Sequence, residues 1–175
     1  TAYLIDLTLL ATSTLGSKFA QQLAIDRPLN VLASASLLQT LDATQPNHAV
    51  LFKKSLEEGR SHLVGGVDVD RETRQMTQQE LTRYLDAGHR AYEARGYPTP
   101  KVFAKYGGGL TADFPMHLLT QGFQGALLFD WEGGSYPTGN QGKITWESAD
   151  GSGIDTISNY ILDASSASSF LAIGS

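Results

Sequence analysis

Apolar positions along this chain follow two alternating rhythms, short continuous runs and helical repeats, separated by glycine and proline. Tyr3 to Leu10 reads as a first strand, and Leu15, Phe19 and Leu23 give the next stretch, about Thr14 to Ala24, one apolar helical face. Asp26-Arg27-Pro28 breaks that helix, and Leu29 to Ala33 forms the second strand. A short helix from Ser36 to about Leu41 follows. A longer one starts at Pro46 and stops at Gly59, with Leu51, Ser55 and Leu56 expected on its inner side. His62-Leu63-Val64 is a short buried strand whose end turns at Gly65-Gly66. Thr77-Gln78-Gln79-Glu80 has the form of a capping box and opens a helix to about Ala94, with Leu81, Tyr84, Leu85 and Tyr92 at helical spacing. Lys101 to Lys105, a helix from Phe114 to Thr120 and a strand from Gly125 to Phe129 complete the alternation.

The texture changes after Phe129. Residues 133–142 are a polar, glycine-rich loop, Lys143 to Glu147 alternates like an exposed strand, and Asp150-Gly151 turns the chain into a partner strand, Ile154 to Ile157. A last helix is expected from Asp163 to Leu171. Strands and helices in strict alternation predict an α/β fold with parallel strands and right-handed crossovers. Five such units are too few to close a barrel. The expectation is therefore an incomplete (β/α) barrel of about five parallel strands with a C-terminal β-hairpin excursion. It forms a single domain over residues 1–175, with 133–157 as the loop and hairpin insertion. The opening Thr1-Ala2-Tyr3-Leu4, already apolar and without Met, reads as a fragment of a larger barrel. Unclosed sheet edges would favour self-association.

Composition narrows the function classes. The 175 residues are enough for one core, and a net charge of −5 disfavours nucleic acid, whose binding needs clustered Lys and Arg. No cysteine is present, which excludes disulfides and thiolate metal sites. No apolar run approaches the ~20 residues that cross a bilayer, so no membrane partner is expected.

Candidate chemistry gathers at the strand exits, where loops converge over a rigid sheet. Asp68, Asp70 and Glu72 follow the third strand and could bind a cation or sugar hydroxyls, or form a solvated turn before the next helix. An EF-hand is excluded because no glycine stands at the sixth loop position. The string Asp68 to Thr73 is also similar to the Asp-x-Asp-x-Thr of haloacid-dehalogenase-type phosphatases, with the threonine one residue late, which leaves an open-sheet hydrolase as a third reading. Asp130 and Glu132 flank Trp131 at the end of the fifth strand. An acid there is placed to protonate a leaving group and an indole to stack on a sugar; the other reading is a loop-capping acid with a core Trp. Trp146 and Glu147 repeat the pairing on the hairpin, where strand alternation accounts for it.

The order of several motifs resembles the catalytic barrel of glycoside hydrolase families 38 (the α-mannosidase family) and 57. They are the helix Pro46…Leu56-Glu57-Glu58-Gly59 leading to a strand ending in Gly65-Gly66, then Gly88-His89…Tyr92 and Gly96-Tyr97-Pro98 leading to a strand that exits into Tyr106-Gly107-Gly108-Gly109. Phe114-Pro115 and Gly122-Phe123-Gln124-Gly125-Ala126 follow. The resemblance covers roughly Leu29 to Asp130. It implies a carbohydrate partner, hydrolysis or binding of glycosides, and possible zinc. In the mannosidases an aspartate nucleophile precedes the glycine at the fourth strand's exit and a His-x-Asp pair holds the metal. Here that exit reads Lys105-Tyr106-Gly107, and no His-x-Asp occurs. His48, His62, His89 and His117 are scattered, so the metal ligands are unknown. A retaining mechanism needs two carboxyl groups about 5–5.5 Å apart. The expected set is thus Asp130 and Glu132 as catalytic, with Asp68, Asp70, Lys105, Tyr106 and Trp131 binding substrate. The alternative is a non-catalytic carbohydrate-binding or scaffold module that kept the fold.

Overall fold

β2 (Leu29–Leu32) and β3 (Ser61–Gly65) are adjacent inner strands of a sheet that runs β1-β2-β3-β4-β5-β7-β6. The computed structural model describes residues 7–25, 27–107, 109–129 and 143–159. Residues 3–6 of the expected first strand and the expected helix from Asp163 to Leu171 lie outside them. β1 (Leu7–Leu9), β4 (Val102–Phe103) and β5 (Gly125–Phe129) are parallel to β2 and β3. Between them run α1 (Ser17–Leu23), α2 (Ala35–Thr44), α3 (Pro46–Glu57), α4 (Gln78–Ala94) and α5 (Phe114–Thr120). The sheet is mostly parallel and not closed among the described residues, as an incomplete barrel requires.

The hairpin of β6 (Ile144–Glu147) and β7 (Gly153–Asn159) is present, and it joins the sheet. β7 lies parallel to β5, with Ala126 opposite Thr156 and Leu128 opposite Ser158, and β6 closes that edge antiparallel. Burial of one face explains the docking. Trp146, only 7% exposed, stacks on Phe114 with ring centroids 6.0 Å apart. Its alternating pattern therefore belongs to a strand with one side in the core.

Parallel strands covered on both sides carry apolar residues in both phases. Val31 and Leu63 face the helix layer with Phe19, Leu38, Phe52, Tyr92 and Tyr97. A second helix-side cluster holds Leu81, Leu85, Phe103, Phe114 and Phe123. The opposite phase, Leu32, Val64, Ala104 and Leu127, makes a smaller cluster of strand and strand-exit residues. α3 begins with Pro46 as expected, and Ser55 and Leu56 lie on its inner side, but Ala49 and Phe52 complete that face and Leu51 is 52% exposed. The larger Phe52 sets the phase, edge-on to Phe19 at 5.3 Å. No helix among the described residues is long and apolar enough to cross a membrane.

Candidate functional site

The glycine pair at the end of β3 is shaped by what presses on it. Gly65 and Gly66 have φ of 157° and 131°. A Cβ on Gly65 would lie 2.5 Å from the Tyr92 hydroxyl and 2.7 Å from the Ala33 carbonyl oxygen, and one on Gly88 of α4 would strike the carbonyl of Gly66. Two glycines at the exit of β3 and one on α4 thus let helix and strand exit meet at backbone distance. Tyr92 seals the junction, donating to Ala33 O at 2.5 Å and accepting from Gly66 N at 3.2 Å.

Beyond Gly66 the chain caps α2. Ser34 is the N-cap, its hydroxyl accepting from Leu37 N at 3.4 Å. Ala35 N donates to Val67 O and Ser36 N to Asp68 O, at 3.0 and 2.9 Å. The backbone donors that commonly make a helix N-terminus an anion site are therefore engaged by the protein itself.

A cleft of about 440 Å³ opens over the exits of β1 to β4. Its walls include the hydroxyl-bearing Thr12, Ser34, Ser36 and Thr40, with Asp70 and Tyr106 at the rim. Tyr106 is 40% exposed there. Asp70 Oδ1 accepts from Tyr106 N at 3.2 Å, which ties the loop after β3 to the exit of β4. Burial raises the Asp70 carboxyl above its ordinary value, against the opposing pull of Lys105 and the Tyr106 and Gly107 amides. Asp70, Lys105 and Tyr106 are thus brought together from distant parts of the sequence.

The three carboxylates after β3 diverge. Asp70 enters the cleft wall. Asp68 instead lies 3.3 Å from Arg95 Nη1 across α4, close enough for an ion pair although its Oδ1 makes no well-formed hydrogen bond. Glu72 pairs with Arg74 at 2.8 Å, and those hydrogen bonds hold its carboxyl down at about 2. No group of three or more His, Asp or Glu among the described residues could hold a metal ion. The histidines are correspondingly apart. His48 Nδ1 lies 3.4 Å from Leu15 O, His62 is exposed on β3, His89 packs on Phe123 at 4.9 Å, and His117 pairs with Thr82 at 3.0 Å. The described residues do not fit a zinc site. Asp130, Trp131 and Glu132 lie outside the described residues.

The cleft's hydroxyl wall is the element that the sequence reading passed over. Its signal is Ser34-Ala35-Ser36 directly after the second strand, with Thr40 one turn further on. There Thr40 Oγ1 donates to Ser36 O at 3.2 Å.

No family model and no curated protein sequence matches the chain. Solved structures do. The 4-alpha-glucanotransferase from Thermococcus litoralis matches with a TM-score of 0.59 at 13% identity, over 85% of this chain and 23% of that one. An alpha-mannosidase from Enterococcus faecalis V583 matches with a TM-score of 0.56 at 13% identity, over 83% and 16%. A protein in the glycosyl hydrolase family 38 from Enterococcus faecalis matches with 0.54 at 13%, over 83% and 15%. The chain spans less than a quarter of the length of each. Over most of its own length it has the fold of a part of these carbohydrate-active proteins.

Proposed function

We propose that this chain is a carbohydrate-active module of the glycoside hydrolase type that hydrolyses or binds glycosides in the cleft at the exits of β1 to β4. The observation that carries the reading is the cleft wall itself, in which Thr12, Ser34, Ser36 and Thr40 offer hydroxyls below a rim of Asp70 and Tyr106. Short hydroxyl side chains both donate and accept, as a sugar's own hydroxyls do. An exposed tyrosine ring provides an apolar surface for the face of a pyranose. The self-capped N-terminus of α2 favours an uncharged guest over a phosphate ester, which speaks against the open-sheet phosphatase reading.

In the catalytic form of this proposal Asp130 protonates the leaving oxygen, Glu132 is its carboxylate partner, Trp131 stacks on the sugar, and Asp70 orients its hydroxyls. A second reading is a binding module without turnover. Its support is the exit of β4, where Lys105 and Tyr106 stand and no carboxylate does. The two separate on a panel of aryl glycosides combined with saturation-transfer NMR against mono- and oligosaccharides. Turnover abolished by Asp130→Asn, with sugar binding retained, is the enzyme. Sugar binding without turnover, lost on Tyr106→Ala or Trp131→Ala, is the binding module. Neither turnover nor sugar contact at the cleft ends both readings.

A further inference from the structure

A second hollow, of about 350 Å³, lies between the segment that follows β3 and the first half of α4. Val69, 41% exposed, lines both this groove and the cleft, so the chain there is a ridge between the two. The groove holds four charged residues, Asp68 and Arg71 from the segment and Glu80 and Arg83 from α4.

These charges are unequally engaged. Asp68 lies 3.3 Å from Arg95 Nη1, and Glu80 Oε2 accepts from Thr77 N and Thr77 Oγ1, both at 2.8 Å. The guanidiniums of Arg71 and Arg83 have no hydrogen bond or ion pair among the described residues, and Glu80 acts on Arg83 only from beyond ion-pair distance. Elsewhere Arg60, Arg74, Arg90 and Arg95 are held by carboxylates and Arg27 by Gln22. The main chain of Arg71 is fixed from two sides, its N donating to Tyr84 Oη at 3.3 Å and its O accepting from Lys105 Nζ at 2.7 Å. Its side chain is left for a guest.

Two unmatched guanidiniums in one groove offer the forked N–H donors that a carboxylate accepts. Asp68 and Glu80 in the same walls oppose a doubly charged phosphate more than a single negative charge. Met76 and the Tyr84 ring, in the same lining, supply an apolar surface for the C–H face of a pyranose.

We propose that this groove takes the carboxylate of a uronic acid unit at Arg71 and Arg83, so that the guest of the module is an acidic glycan. Its neutral neighbouring unit lies across Val69, in the cleft. The hydroxyl wall then reads the neutral unit and the arginines read the charge. The glycan rests on the sugar reading of the cleft given above, and the affinity of the groove for a carboxylate does not.

Amide NMR titration of the full chain with D-glucuronate, glucose and glucose 6-phosphate tests it, because the three share one ring and differ at carbon 6. At low salt glucuronate should give saturable shifts at Val69, Arg71, Arg83 and Tyr84, with an affinity there about tenfold above that of glucose. The advantage should shrink as salt is added. Arg71→Gln and Arg83→Gln, which alter only exposed side chains, should each remove most of it. Equal affinity for glucuronate and glucose overturns the proposal, as does an advantage that survives in the double variant. Tighter binding of glucose 6-phosphate overturns it too, in favour of a phosphate site. The wild-type comparison decides the matter even if a variant fails to fold. A neutral oligosaccharide reports on the cleft separately, through shifts at Ser36 and Tyr106. Its failure there ends the cleft reading and with it the glycan, while glucuronate in the groove still establishes the carboxylate site.

Discussion

The hydroxyl of Tyr92 donates to Ala33 O at 2.5 Å and accepts from Gly66 N at 3.2 Å, so a single oxygen on α4 holds the exits of β2 and β3 side by side. The position is fully buried, and no water can replace the bonds. Tyr92→Phe should leave a donor and an acceptor unmet and cost about 1–3 kcal/mol in urea unfolding. A loss within about 0.5 kcal/mol would show that the strand exits are held by packing alone.

Gly88 offers a test in which propensity and packing point in opposite directions. Gly→Ala inside a helix ordinarily stabilises by about 1 kcal/mol. Here the added methyl would strike the Gly66 carbonyl, backbone that cannot swing aside. Gly88→Ala should therefore destabilise, by about 1–3 kcal/mol or more, measured by thermal or urea unfolding. A stabilised variant would mean that α4 can retreat from the strand at little cost.

Trp146 tests whether the hairpin is part of the core. Its ring is buried between β7 and α5, with Phe114 and Ile154 in the same cluster. Trp146→Ala should cost roughly 3–5 kcal/mol. If the hairpin unfolded separately, the variant would lose one early transition and keep the main one unchanged.

His89 gives the acid side of the stability profile a distinct step. Burial holds its pKa below the ordinary 6.5, against the pull of Glu93 and Asp86. The unfolded chain then binds the proton more readily, so stability present above 6.5 declines as the pH falls below it. Unfolding midpoints measured from pH 7.5 to 5 should decrease through that range, and the slope should flatten in His89→Gln. An unchanged slope in the variant would assign the decline to carboxylates.

What could be read from the sequence was whatever has a local signature. The capping box at Thr77 and Glu80 forms as written, Thr77 N donating to Glu80 Oε2 at 2.8 Å and Glu80 N to Thr77 Oγ1 at 3.3 Å. The parallel direction of the strands followed from alternation, because a strand joined to the next through a helix returns in the same direction. The phase of α3 was not legible, since Leu51 and Phe52 are adjacent and only packing against Phe19 chooses between them. The fates of Asp68 and Asp70 were not legible either, because their partners, Arg95 and Tyr106, lie 27 and 36 residues away and need the tertiary fold. The cleft's hydroxyl wall was hidden for a related reason: serines after a strand look like a helix cap, and Ser34 is one.

That cap has a consequence for how the cleft can discriminate. With the leading amides of α2 turned back onto Ser34, Val67 and Asp68, the helix dipole is answered within the chain. What remains along this wall is a row of one-torsion hydroxyls fixed by backbone and by one another, Ser34 Oγ and Ser36 Oγ being 3.2 Å apart. If the cleft takes a sugar as proposed, such a surface would sort guests by the stereochemistry of what they present, axial against equatorial, and a rise in ionic strength would leave that sorting unchanged.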